Sequence, residues 1–276
     1  MRIRISHTTR YRYDRPPTSV TQLLRLAPRH HEGQYVMDWR IDLSVDCRLH
    51  QHEDAFGNIA HSFTAEGPLE ALSVAVEGEV DTQETHGVVR GAVERFPPAL
   101  YLRETALTMP DSAIVDFADT VRADASTGDR LALMHALLAA LNREMTFDTD
   151  PTHTTTTAAE AFALQRGVCQ DLTHIFITAA RHLGAPARYV AGHLCRTDGV
   201  TAQEAGHAWA EIHVEDLGWV GFDPTNGVCV TDAHVRVAIG LDYLGAAPVR
   251  GSRHGGAGEN LQVAVHVAQA RDQAQT

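Results

Sequence analysis

Long hydrophobic runs are missing from this chain. No apolar segment approaches the roughly 20 residues that a membrane-spanning helix needs. The first residues, MRIRI, alternate charged and apolar side chains and do not form the uninterrupted apolar core of a signal peptide. The sequence therefore predicts a cytoplasmic protein without a membrane segment.

Basic charge and cysteine are also scarce. The chain has 23 Lys and Arg against 35 Asp and Glu, which gives a net charge of −12. This balance argues against a nucleic-acid partner, because affinity for phosphate backbones needs clustered Lys and Arg. The four cysteines lack C-x-x-C spacing, so we expect free thiols and not a disulfide framework: Cys47, Cys169, Cys195 and Cys229.

The first third of the chain has the alternation of β-strands. It is clearest in residues 35–47, where every second residue is apolar and the residues between are mostly Asp, Arg or Ser; the predicted inward face is Tyr35, Met37, Trp39, Ile41, Leu43, Val45 and Cys47. Further strands are predicted at 59–65 and 72–80, after a turn at 54–58. Several short strands separated by turns predict a β-sandwich over residues 1–97.

After Pro97 and Pro98 the pattern becomes mixed. Helices are predicted at 112–121, at 129–145, from a capping box at 157–160, and over 168–183, where apolar residues recur every three or four positions. Strands are predicted at 187–195, 206–214 and 219–223, and a glycine-rich loop at 250–258. At 276 residues, two domains are expected: a sandwich at 1–97 and a second domain at 98–276, with 261–267 as a terminal strand.

Cys169 is predicted in the first turn of the 168–183 helix. Free N–H groups and the positive end of the helix dipole favour a thiolate there, and the thiolate is the nucleophilic form. The Cys169 amide could also help to stabilise an oxyanion. A cysteine by itself is more often a small buried apolar residue, so only the setting suggests a nucleophile.

His207 and Asp223 are the candidate base and orienting acid. A hairpin of the strands 206–214 and 219–223 would bring the two side chains together at one end. The residues alone leave alternatives open: the polar face of the first strand could be solvated, and the Asp-Pro pair at 223–224 could be a simple turn.

Three motifs resemble those of bacterial transglutaminase-like proteins, and they occur in the family's order: GVCQD at 167–171, GHAWAE at 206–211 and GWVGFDPTN at 218–226. The first half, with DAFGN at 54–58, resembles the β-rich N-terminal region that accompanies this domain in bacteria. Asp242 and Tyr243, followed by Pro248, Arg250 and Gly251, match the family's C-terminal portion. The resemblance implies an α+β fold: an N-terminal antiparallel β-sandwich followed by a transglutaminase/papain-like core with helices packed on an antiparallel sheet.

By this resemblance Cys169 is the nucleophile, His207 the base and Asp223 the orienting acid. The implied reaction is thiol-dependent acyl transfer or hydrolysis at an amide of a protein or peptide, either a glutamine side chain or a peptide bond. The alternative is a non-catalytic protein-binding module on an inactive transglutaminase-like scaffold. The sequence leaves the substrate and the oligomeric state open.

Trp209 and Tyr243 are candidate substrate-binding residues, although each could equally pack in the core. Animal transglutaminases bind calcium, but no EF-hand loop occurs here. His50 and His52 lack a compact metal-ligand spacing, as do His30 and His31. The sequence therefore predicts neither a metal nor a cofactor.

Overall fold

The computed structural model describes residues 1–150 and 152–270. Their α-helices are α1 (Ser112–Ala125), α2 (Arg130–Glu144), α3 (Ala158–Leu164), α4 (Cys169–His182) and α5 (Tyr243–Ala246), and a 3₁₀ helix spans Pro98–Leu102. Their strands are β1 (Arg2–Arg15), β2 (Ser19–Ala27), β3 (Gln34–Leu43), β4 (His50–Glu53), β5 (Ile59–Glu66), β6 (Ala71–Thr82), β7 (Val88–Val89), β8 (Thr146–Phe147), β9 (Arg166–Gly167), β10 (Ala187–Leu194), β11 (Ala202–Gln203), β12 (His207–Val214), β13 (Gly218–Asp223), β14 (Val228–Cys229), β15 (His234–Gly240), β16 (Val249–His254) and β17 (Ala257–Gln269).

Two antiparallel sheets form the predicted β-sandwich. One has the strand order β11-β17-β1-β6-β3 and the other has the order β16-β2-β5-β4. Inward side chains from both sheets join in one apolar cluster that includes Leu24 and Phe63 from the second sheet and Leu72 and Val74 from the first. Burial of alternate residues from two facing sheets is the usual core of a sandwich.

The prediction of a loop at 250–258 is wrong. Most of these residues belong to β16 and β17, which are joined by a turn at Gly255 and Gly256, both at positive φ. β16 pairs with β2 at the edge of its sheet and is almost wholly exposed, so its side chains show no hydrophobic alternation. β17 pairs with β1, so the predicted terminal strand joins the first sheet. The division of the chain into domains at 97/98 stays a prediction.

The predicted inward face of residues 35–47 is wrong at its start. A β-bulge shifts the register of β3 against β6 between Val36 and Asp38. The bulge reverses the alternation, so Gln34 is buried while Tyr35 and Met37 are exposed. After the bulge the odd-numbered residues face the core, as predicted.

A third sheet, the helices and the short pair of β8 and β9 form the rest of the described chain. The sheet has the order β14-β13-β12-β10-β15, with β7 added to β13. α4 packs on β10 and β12 on one side and on α1, α2 and α3 on the other. The α+β fold is confirmed, and none of the helices in the described ranges is long and apolar enough to cross a membrane.

α4 is therefore buried on nearly all sides and not along a single stripe. Polar residues that the sequence left for solvent are buried and hydrogen-bonded: Thr178 Oγ1 donates to the His174 carbonyl at 2.8 Å, and Arg181 Nε donates to the Tyr101 carbonyl at 2.9 Å. These bonds offset the cost of burying polar groups. The central helix is thus rigidly held along its length, including its first turn.

The helix starts were predicted with more success. Asp111 Oδ1 accepts from Ile114 N at the start of α1, and Asp129 Oδ1 accepts from Leu131 N at the start of α2. Thr157 and Glu160 form the predicted capping box of α3. Such caps depend on neighbours in sequence, which explains why they can be recognised without a structure.

Candidate active site

Cys169 is the first residue of α4. Asp171, two positions on, fixes this end of the helix: its Oδ2 accepts from the backbone N–H of Val168 at 2.9 Å and from Thr152 Oγ1 at 2.7 Å. Gly167 is required beside it, because a Cβ at that position would lie 2.6 Å from the same Oδ2 atom. The sequence therefore sets the half-buried thiol at a defined helix start.

The start of α4 also provides an electrostatic environment that favours an anion. The N–H groups of Cys169 and Gln170 precede the first bonds of the helix, which run from Asp171 N and Leu172 N to the Val168 carbonyl, and they lie at the positive end of the helix dipole. An anion beside them is stabilised without any further charged side chain. Both a thiolate and the oxyanion of an acyl-transfer reaction are such anions.

His207 is the first residue of β12, and Asp223 is the last of β13. The two strands pair antiparallel in the register Ala210 to Phe222, so the predicted hairpin is confirmed. His207 Nε2 and Asp223 Oδ2 lie 2.7 Å apart. An ionised carboxylate only accepts, so Nε2 carries a proton, and Nδ1 is left for Cys169.

Charges around His207 keep it protonated. Burial lowers its pKa, but the charge and hydrogen bond of Asp223 and the hydrogen bond and charge of Cys169 raise it more, to about 10. Burial would raise the pKa of Asp223, yet the neighbouring His207 and His234 hold it well below its usual range. The pair is therefore an imidazolium and a carboxylate at neutral pH.

Two residues of this site were missed at the sequence level. His234 Nε2 lies 3.1 Å from Asp223 Oδ2, and Asn226 Nδ2 lies 2.6 Å from the same oxygen. Asp223 Oδ1 accepts from the backbone N–H groups of Thr225 and Asn226 at 3.0 and 3.2 Å. The turn sequence DPTN signals the bonds within the turn, but no local pattern signals His234, which comes from β15.

The polar face of β12 is not solvated, which decides an alternative that the sequence left open. Glu211 is completely buried between Arg188 and Arg236, with Nε of each at 2.7 Å from one of its oxygens. Arg188 also reaches Glu94 at 2.7 Å and lies 3.8 Å above the centroid of the Trp219 ring. These ion pairs anchor the hairpin that carries His207 and Asp223.

Trp209 lies beside the histidines and is only 1% exposed. Its ring is edge-on to His234, with centroids 5.3 Å apart, and a Cβ at Gly192 would lie 2.5 Å from it. This position favours support of the histidine rings over contact with a substrate. Substrate binding by Trp209 stays a prediction.

Tyr243 is half-buried at the start of α5. Its ring centroid lies 6.2 Å from that of Tyr189. Burial first, and next the charge of Cys169, raise the pKa of Tyr189 well above its usual value. The role of Tyr243 as a substrate contact also stays a prediction.

Two imidazoles and a carboxylate meet at this site. The ligand atoms of His207, Asp223 and His234 lie within 4.8 Å of one another, a donor set that also suits zinc. Both nitrogens, however, point at one carboxylate oxygen at hydrogen-bond distance. Shared protons account for the arrangement, so the cluster is a hydrogen-bonded network around Asp223.

Comparison with known proteins identifies the family. The model of the bacterial transglutaminase-like N-terminal region matches residues 3–81, and that of the transglutaminase-like superfamily matches residues 116–224, which include Cys169, His207 and Asp223. An uncharacterized protein of Mycobacterium leprae is 29% identical over 96% of this chain and 98% of its own, and one of Mycobacterium tuberculosis is 26% identical over 91% and 87%.

The fold has a counterpart among solved structures. The crystal structure of a candidate cysteine protease from Cytophaga hutchinsonii superposes with a TM-score of 0.78, at 17% identity, over 100% of this chain and 92% of that one. Identity this low speaks for the fold alone. With both family regions in order along its length, the chain belongs to the transglutaminase-like superfamily and carries the bacterial transglutaminase-like N-terminal region.

Proposed function

We propose that the protein is a thiol-dependent acyltransferase or hydrolase that acts at amide bonds, with Cys169 as nucleophile, His207 as acid and base, and Asp223 as the group that orients His207. The observation that carries the proposal is the 2.7 Å bond between His207 Nε2 and Asp223 Oδ2, next to a cysteine at a helix start. A nucleophile, a base and an orienting group in contact are the minimal parts of such a catalyst.

The chemistry follows from the protonation states. The Cys169 thiolate attacks the amide carbonyl carbon, and the carbonyl oxygen takes the negative charge beside the N–H groups at the start of α4. The intermediate collapses as the C–N bond breaks, and His207 gives its Nδ1 proton to the leaving nitrogen, which departs as ammonia or an amine. A thioester on Cys169 remains, together with a neutral His207.

The second half of the reaction regenerates the thiolate. Neutral His207 takes a proton from water or from an amine as either attacks the thioester, and Cys169 leaves as the thiolate. Water gives hydrolysis, and an amine gives a new amide. Asp223 stabilises the imidazolium in both halves and fixes the tautomer of the neutral ring.

The substrate we propose is a protein or peptide amide. Support comes from the superfamily itself and from the Cytophaga hutchinsonii protein, which shares the fold and is described as a candidate cysteine protease. A glutamine side chain would release ammonia, whereas a peptide bond would release a new amino terminus. The two outcomes can be told apart by the product.

The test is turnover of glutamine-containing peptides and unfolded proteins, with and without a primary amine. Ammonia release, amine incorporation and peptide cleavage are followed in parallel for the wild-type protein and for Cys169→Ala. We expect the variant to lose activity by roughly 10⁴-fold or more, with its thermal unfolding temperature unchanged. Equal turnover by the two proteins would refute the scheme.

A further inference from the structure

His234 contacts Asp223 of the proposed triad and is nearly completely buried. Its side chain is 3% exposed, and its Nε2 atom lies 3.1 Å from Asp223 Oδ2. Its other ring nitrogen, Nδ1, lies 3.2 Å from the backbone N of Thr231. The ring is held at both nitrogens.

The Thr231 contact determines where the His234 proton lies. A backbone N–H can only donate, so Nδ1 of His234 must be the acceptor and carry no proton. The proton of the neutral ring is therefore on Nε2 and points at Asp223 Oδ2. His234 is therefore a fixed donor to the carboxylate through Nε2.

Asp223 consequently receives five hydrogen bonds, three of them at Oδ2. The oxygen that faces His207 is thus shared with a second imidazole. Each added donor stabilises the carboxylate and weakens its attraction for the proton of His207. The geometry also prevents Oδ2 from turning away from His207.

Other titratable groups facing the cluster are few. Cys169 approaches His207 from the start of α4. His193 faces His207 from β10; it is fully buried, and burial, followed by the charges of His7 and His207, lowers its pKa to about 3. His193 is therefore neutral near pH 7, so the charged partners of His207 are Asp223 and Cys169.

We propose, on the basis of the function above, that His234 is a positioning residue of this reaction. Its Nε2–H holds Asp223 Oδ2 towards His207 and shares the negative charge of the carboxylate, so that His207 can release its proton to the leaving nitrogen. Without His234, Asp223 would hold the imidazolium more tightly and the ring would become a poorer acid.

The test compares His234→Leu with His234→Gln. Leucine fills the space next to Trp209 without a donor, whereas glutamine can place an amide N–H near the Nε2 position. We expect His234→Leu to lower kcat about tenfold with little change in KM, and to move the upper pH limit of activity upwards. His234→Gln should recover most of both effects.

A packing role would give a different result. Loss of packing lowers stability and rate in both variants but does not raise the upper pH limit, so equal behaviour of the two variants, or an unmoved limit, would overturn the proposal. In the Asp223→Asn background, His234→Leu should cause no further loss of kcat. A full further loss there would show that His234 does not act through Asp223.

A measurement on the wild-type protein covers the case in which His234→Leu does not fold. Nitrogen-15 NMR of labelled histidine in the folded protein should show the neutral His234 ring protonated at Nε2 only. Protonation at Nδ1 of the neutral ring would overturn the proposal. If the wild-type protein has no activity that depends on Cys169, the proposed function fails, and the proposal for His234 fails with it.

Discussion

Charged pairs occupy opposite environments in the two parts of this molecule. On the sandwich they are mostly solvated: Arg2 pairs with Asp81, and both side chains are more than one third exposed. Beneath the candidate site they are buried: Glu211 and Asp223 are inaccessible to solvent. Glu211 has two arginine side chains against it, and Asp223 has three hydrogen-bonding side chains against it.

The difference in burial sets what each pair can do. Exposed ion pairs contribute little free energy, because water screens them and competes for both partners. Buried charges are costly to desolvate and persist only when they are paired, so removal of one partner leaves an uncompensated charge. The comparison predicts that changes in the buried network alter chemistry and stability, whereas matched changes on the sandwich alter neither.

The largest expected effect is that of Asp223→Asn. Removal of the carboxylate charge removes the main cause that raises the pKa of His207, so the imidazolium loses its proton at a lower pH. We expect kcat to fall by about 10²- to 10⁴-fold and the upper pH limit of activity to move downwards. A pH–rate profile measures both; an unchanged upper limit would contradict the role of Asp223.

The second largest expected effect is a loss of folding stability in Glu211→Gln. Glu211→Gln leaves Arg236 without its charged partner and should lower the free energy of unfolding by about 3 kcal/mol. Asp81→Asn is the matched control on the sandwich and should change it by less than about 1 kcal/mol. Urea unfolding of the two variants and the wild type measures the contrast, and equal losses would contradict it.

The smallest expected effect is on the stability of the folded protein at acid pH. His7 is buried where the sandwich meets the core sheet, its ring edge-on to His193 with centroids 5.7 Å apart. Burial lowers the pKa of His7 from 6.5 to about 4. The neutral ring is thus favoured in the folded state, so stability is fully present above pH 6.5 and is lost as the pH falls towards 4.

The corresponding variant is His7→Gln, with His50→Gln on the exposed strand β4 as its control. His7→Gln should lose less stability than the wild type between pH 7 and pH 4.5, by up to roughly 2 kcal/mol. His50→Gln should follow the wild type. Parallel pH dependences for all three proteins, measured by urea unfolding, would contradict the assignment.

Much of the fold could be predicted, because it depends on local patterns. The helices that begin near residues 112 and 129, the capping box at Thr157 and the hairpin of β12 and β13 follow from residues close together in sequence. The bulge at Met37 and the polar edge strand β16 could not be predicted, since a register shift and an edge position depend on the neighbouring strand. The domain boundary and the cytoplasmic location stay predictions.

The candidate site could likewise be predicted where it depends on local motifs. Motifs around Cys169, His207 and Asp223 pointed to three groups that the fold brings close together. His234 and Glu211 escaped recognition as parts of this network because their partners come from distant strands. Burial was the missing information: a polar face on β12 is compatible with solvent or with ion pairs, and only the packed structure distinguishes the two.

The most direct test of the account is the reactivity of the thiols. Folded protein is treated with iodoacetamide from pH 5 to pH 9, and each cysteine is quantified by peptide mass spectrometry. Burial raises the pKa values of Cys47, Cys195 and Cys229, so these thiols should react slowly at low pH. We predict that at pH 6 Cys169 reacts at least about tenfold faster than the other three, and that His207→Ala removes the difference. Reaction of Cys169 at the rate of the others would contradict the account and favour a non-catalytic binding module.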